Sequence, residues 1–201
     1  VSPRSLRLAS ILGGVILAAV ALLSWSQSWI VVVLSGQAAP HPDLAVSGDV
    51  AAPAVAALAV AALAAFGAVA ITGRFFRVVL AVLVVAIGAS AVLSAVLAIT
   101  DPTTAVEPAV TEATSISGTG AIAALIESLT LTAWPFVAAV SGTLLALLGI
   151  AIVLTGRSWP ETGRRYETVR LEPADAHDER ADDSSVSDWD ELSGGADPTS
   201  R

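Results

Sequence analysis

The 201-residue chain has no cysteine, no methionine and no lysine, and only 14% of its residues are charged. Without cysteine there is no disulfide, no thiolate zinc site and no thiol nucleophile, so exposed loops must hold their shape without covalent staples. Thiol redox chemistry is excluded with them. Soluble domains are about 45–50% apolar and about 25% charged, whereas this chain is 55% apolar with a mean hydropathy of +0.77. Lipid is therefore its main solvent. Its length fits about four spans of roughly 20 residues each plus connections, which predicts one bundle and no second globular core.

What is present is sharply partitioned. Apolar segments at residues 8–24, 53–72, 78–99 and 134–154 contain no ionisable residue. Each approaches or exceeds the length needed to cross a hydrocarbon core about 30 Å thick at 1.5 Å per residue. The basic residues, all arginine, fall between and beyond them: Arg4 and Arg7 before the first, Arg74 and Arg77 between the second and third, the other six after the fourth. The positive-inside rule then predicts cytoplasmic N and C termini, a cytoplasmic middle turn, and outer loops at 25–52 and 100–133. The first segment is read as a retained span and not as a cleaved signal peptide, because the three later spans need a fourth to return the basic tail to the basic side.

The outer loops show weaker patterns. Ile30 to Val33 is short and β-branched, and residues 43–50 follow a turn at Pro40 and Pro42, so a small surface hairpin is expected. Thr100-Asp101-Pro102 stops the third span and leads into a Thr, Ser and Gly-rich stretch. Ile122, Leu125, Ile126 and Leu129 then recur at helical spacing, predicting a short interfacial helix over 121–131. Trp134-Pro135 opens the last span, since Pro suits a first helical turn and Trp the headgroup level. Trp25 and Trp29 mark the same plane, so Trp25, Trp29, Trp134 and Pro135 are the expected outer anchors. On the last span Ala138, Gly142 and Ala146 repeat at every fourth position, a smooth stripe for close helix contact that leaves self-association open.

Chemistry is harder to find. The polar groups inside the spans are Ser and Thr only, among them Ser90, Ser94, Ser141 and Thr143. Pumps and ion-coupled transporters need a charge at membrane depth, which argues against both. Gly or Pro-broken helices at matching places in two halves, the usual sign of a midplane substrate site, are missing too. His41 and His177 are predicted on opposite sides of the membrane, and neither HExxH nor GxSxG occurs. His41 with Asp43 gives two metal ligands where three or four are usual. The outer acids Asp43, Asp49, Asp101, Glu107, Glu112 and Glu127 read as loop solubilisers with no spacing that marks a carboxylate pair. No cofactor, metal or nucleic-acid partner is expected.

The densest cluster of unusual residues follows the fourth span. In GRSWPETGRRYE (156–167), Ser158 and Glu161 fit a capping box and Pro160 a helix start. An amphipathic helix at the inner interface is expected over 158–170, with Trp159, Tyr166 and Val169 near one face and Arg164 and Arg165 within reach of lipid phosphates. Residues 171–201 hold ten acids against two arginines, the composition of a disordered acidic tail. Trp189, embedded in DWDEL, stands out there as a short docking motif.

These strings together resemble the tryptophan-associated transmembrane proteins, small four-span proteins of actinobacteria encoded among tryptophan biosynthesis genes. The resemblance rests on Ser47-Gly48 with Pro53 and the LAVAAL run, the basic turn around Gly73-Arg74, LTAWPFVAAVSG at 131–142, RSWPETGRRYE at 157–167 and DWDELSGGADPT at 188–199. Phe76 and Ser141 depart from the family's pattern. The resemblance implies a membrane location and an association with tryptophan synthesis, and it carries over no catalytic residues.

The resulting expectation is an all-α membrane protein of four transmembrane helices in the cell membrane: domain 1–170, then the tail 171–201. It is read as non-enzymatic, an accessory or scaffold in the lipid bilayer. A cytoplasmic protein partner would dock on Trp159, Pro160, Gly163, Arg164, Arg165, Tyr166, Glu167 and Trp189. The alternatives are a carrier for tryptophan, indole or a related aromatic metabolite and, last, a membrane hydrolase using the outer carboxylates.

Overall fold

A computed structural model describes residues 3–35 and 43–156. Seven helices and three strands follow in order: α1 (Pro3–Trp25), β1 (Ser28–Leu34), β2 (Asp43–Ser47), α2 (Gly48–Ala51), α3 (Ala54–Ile71), α4 (Arg74–Thr100), α5 (Pro102–Thr114), α6 (Thr119–Leu125), β3 (Ile126–Leu131) and α7 (Trp134–Thr155). Helices α1, α3, α4 and α7 are the four apolar spans, and each is long and apolar enough to cross a membrane. The shortest, α3, has 18 residues, about 27 Å of helix at 1.5 Å per residue. No more than a third of each span is buried inside the protein. Leu12, Ile16, Leu93 and Leu147 are among the large apolar side chains left on the outside, a belt that only lipid covers without cost.

The spans form a closed ring, α1 against α3, α3 against α4, α4 against α7 and α7 against α1. Because the chain runs up, down, up and down, every neighbour in the ring is antiparallel. The tightest seam joins α4 to α7. A Cβ at Gly88 would lie 2.6 Å from both the Gly142 carbonyl oxygen and the Ala146 nitrogen, closer than any side chain could tolerate. Small residues let two backbones touch, and dispersion and weak Cα–H···O contacts then replace the hydrophobic effect that lipid removes. The Ala138, Gly142 and Ala146 stripe is therefore occupied within the chain by α4. On α1, a Cβ at Gly14 would fall 2.2 Å from the Phe66 ring of α3, so the glycine seats that fully buried aromatic.

Two hydrophobic clusters result. One lies within the bundle and gathers Ala18, Phe66, Val84, Ile87, Leu145 and Ile152. The other lies at the end where α1 and α4 finish and α3 and α7 begin, and it joins strand residues to helical ones. There β1 is the centre of a three-stranded antiparallel sheet ordered β2-β1-β3. Ile30 pairs with Val46 and Leu131, and Val32 with Leu44 and Leu129, so one face of the sheet is apolar. Val106 and Val110 of α5 and Ile122 of α6 share that core with Val55, Ala95, Ala98 and Ala138 from the spans.

The sheet corrects the all-α expectation: the protein is mostly helical with a small β cap. The hairpin foreseen from Ile30 to Val33 and 43–50 is present as β1 and β2, with α2 taking the last residues. The single helix expected over 121–131 is two elements, α6 and β3. From Ser128 to Thr132 polar and apolar residues alternate, and β1 offers an open edge, so pairing displaces the helix. The Thr, Ser and Gly-rich stretch after Asp101 contains the 13-residue helix α5. At the opposite end, the connection between α3 and α4 is Thr72-Gly73 alone, and Arg74 and Arg77 are in the first turn of α4, not in a loop.

Candidate functional site at the capped end

The cap is tied to the bundle through the corner where α1 becomes β1. Trp29, the second residue of β1, is fully buried. Its indole Nε1 donates to the Ser24 carbonyl at 2.8 Å, which satisfies the one polar group a buried Trp carries. Gly48, at the start of α2, lies directly beneath it. A Cβ there would be 2.6 Å from the Trp25 carbonyl oxygen and 2.7 Å from Trp29 Nε1. The Gly48 N–H donates to the Gln27 carbonyl at 3.0 Å. Ser24 Oγ donates to the Trp134 carbonyl at 2.6 Å, and the Thr132 N–H to the Trp29 carbonyl at 2.9 Å. One corner thus holds the exits of α1 and β3 and the entries of α2 and α7.

Trp25, Trp29, Trp134 and Pro135 therefore converge, but not as four equivalent anchors. Trp29 is a core residue and contacts protein where headgroup contact was expected. Pro135 is buried as well, while Trp25 and Trp134 are half-buried. Trp29 is the extra residue of a bulge in β1, between Ser28 opposite Ser47 and Ile30 opposite Val46, and the bulge re-aims its side chain into the core beside Ile30, a demand no local pattern contains.

A cavity of about 370 Å³ opens beside this corner, between the α2–α3 and α4–α5 junctions. Its walls are largely apolar, from Val50, Pro53, Leu97 and Ala105, with Ser94, Asp101 and Thr104 as the polar side chains. Asp101 ends α4 and caps α5, the first N–H groups of which have no helical partner of their own. Its Oδ1 accepts from the Thr104 N–H at 3.2 Å and its Oδ2 from Thr104 Oγ1 at 2.7 Å. Hydrogen bonds from the Thr104 side chain and then its backbone favour the charged form and hold the carboxyl below its ordinary value. A second groove of similar size, between α1 and α7, is lined by apolar groups such as Leu17, Val20, Phe136 and Val140.

Other polar residues do not assemble. Among the described residues no three His, Asp or Glu side chains form a metal-binding group. Asp49 accepts from Ser47 Oγ and from the Val50 N–H, a local turn. Glu112 and Glu127 are exposed on separate elements. The end remote from the cap carries the described arginines. Arg7 Nη2 donates to the Ala70 carbonyl, and Arg77, 1% exposed, donates from Nη1 to the Gly156 carbonyl at 3.0 Å. Arg77 thus satisfies a C-terminal carbonyl of α7, where cations are favoured. The sequence places it beside the third span, but only the fold shows it buried. Trp159, Pro160, Gly163, Arg164, Arg165, Tyr166, Glu167 and Trp189, the helix expected over 158–170 and the tail 171–201 lie outside the described residues.

A family model described as tryptophan-associated transmembrane protein matches residues 11–199. The chain belongs to that family. The match runs through all four spans, the cap and the segment after α7. Membership agrees with the four apolar helices and makes this a multi-pass membrane protein. Searches of curated proteins and of solved structures found no match.

Proposed function

We propose that this family member is a non-enzymatic accessory protein of the cell membrane, with the arginine end in the cytoplasm, the β cap outside and a soluble partner recruited by residues 156–170 and the tail around Trp189. The observation that carries this reading is the Arg77 contact with Gly156. It pins the last turn of α7 to the start of α4 and gives the segment that follows a defined point of departure. The bundle itself supports an anchoring role: its seam is closed by backbone contact at Gly88, and its buried core is Ala, Val, Leu, Ile and Phe. The arginines at one end and the acids of the cap at the other agree with the positive-inside rule.

A carrier for tryptophan, indole or a related aromatic metabolite draws support from the family's tryptophan association, but a solute path along the axis would have to displace the buried core of Phe66, Val84, Leu145 and Ile152. Pull-downs from solubilised membranes separate the readings. The intact protein is expected to retain a soluble partner that a chain ending at residue 170 loses. Identical partners from both chains would remove the tail from the proposal. A gene deletion that slows uptake or efflux of labelled tryptophan or indole would favour the carrier.

A further inference from the structure

We propose that the cavity between the α2–α3 and α4–α5 junctions binds a zwitterionic primary amine with an apolar body, its ammonium at Asp101 and its anionic group at the first turn of α3. The inference goes beyond the partner-recruiting role and does not depend on it.

Size and lining come first. At about 370 Å³ the cavity is at the small end of the roughly 300–1,000 Å³ range of ligand pockets. Val50, Pro53, Leu97 and Ala105 give it the apolar surface a hydrophobic body needs, and the polar side chains Ser94, Asp101 and Thr104 come from α4, α5 and their junction.

Charge is then distributed across it with opposite signs. Helix α4 is 27 residues long, ends here and has no basic residue in its last turn, so its carbonyl end keeps its partial negative charge. Asp101 adds a full negative charge at the next position. The carboxylate has about four lone-pair sites, and Thr104 takes two of them. Asp101 is exposed, so its carboxylate is accessible to a further donor. Arg7 and Arg77 donate to carbonyls at the other end of the bundle, and the positive charge beside Asp101 is the partial charge of the α5 N-terminus that it caps. Across the cavity, α3 begins at Ala54 with no side chain capping its N–H groups and no acid in its first turn, although the Val55 N–H already donates to the Ala52 carbonyl at 3.1 Å. That end carries partial positive charge.

A simple cation would leave the α3 end unused, and a simple anion would be repelled by Asp101. A molecule carrying both charges, with an apolar group for the remaining wall, uses all three surfaces. Two sources share this chemistry: a free α-amino acid with a large apolar side chain, and the ammonium and phosphate of a phosphatidylethanolamine at the membrane surface.

The test uses the full chain in nanodiscs. In discs of phosphatidylglycerol alone, binding of labelled L-tryptophan is measured by scintillation proximity. In discs containing phosphatidylethanolamine, native mass spectrometry reads lipid retained on the protein. Saturable binding of the amino acid identifies the soluble source. Retention of one phosphatidylethanolamine without amino-acid binding identifies the lipid. In either case Asp101→Asn, which keeps a good helix cap while losing the charge, is expected to weaken binding at least about tenfold. Ala105→Phe, which fills the cavity, is expected to abolish it. N-acetyl-L-tryptophan, lacking the ammonium, should not compete. Absence of both probes from the wild-type protein, or undiminished binding by Asp101→Asn, overturns the proposal.

Discussion

At the scale of single residues, glycines decide how closely the helices pack. Gly88 sits against the α7 backbone, which cannot swing aside as a side chain can. Gly88→Val is expected to cost about 1–3 kcal/mol or more, read as a lower melting temperature in detergent. Gly67 is exposed on α3 with nothing within 4 Å of its Cβ position. Gly67→Ala should be neutral or gain up to about 1 kcal/mol from helix propensity. Equal losses from both substitutions would refute backbone contact as the role of Gly88. Arg77→Ala removes a charged donor from the Gly156 carbonyl, an interaction of a kind worth about 1.5–3 kcal/mol. Faster hydrogen exchange over the last turn of α7 is the expected result, and unchanged exchange there would show the contact to be dispensable. The sequence displays each of these residues, but glycine looks the same whether it faces lipid or a neighbouring backbone.

At the scale of elements, α5 shows a signal overlooked and β3 a signal that misled. Asp101-Pro102 ends α4, and it also begins α5, with Asp as N-cap and Pro in the first turn. Both roles are local chemistry and legible in principle. The cap has a pH consequence. Its folded carboxyl titrates below the ordinary value of 3.8, so its stabilisation of α5 is complete above about pH 5 and is lost as pH falls through 3.8 toward the folded value. Amide exchange in the first turn of α5 is expected to accelerate in that acid range relative to other helices. Asp101→Asn should remove that pH dependence; an Asn variant that still shows it would assign the effect to another group. β3 differs because Ile122, Leu125, Ile126 and Leu129 do recur at helical spacing. Strand pairing won because β1 lies alongside, a partner nearly a hundred residues earlier whose proximity no window of sequence contains.

At the scale of the whole molecule, two clusters stack along the bundle, one in the ring of spans and one beneath the sheet. The orientation proposed for them is directly testable because the chain has no native cysteine. Glu112→Cys on α5 should react with an impermeant maleimide on intact cells, and Gly73→Cys in the α3–α4 connection only after permeabilisation. The reverse pattern would invert the proposed topology. The number of spans, their boundaries to within a few residues and the segregation of arginine to one end followed from the sequence by itself, because transfer from water to lipid is additive along a chain and needs no partner. Only the tertiary structure decided that Trp29 is core, that the α7 stripe belongs to α4, that Arg77 closes the last turn of α7 and that Asp101 borders a cavity. Each of these depends on which distant segments meet, and that is fixed by packing and pairing across the fold.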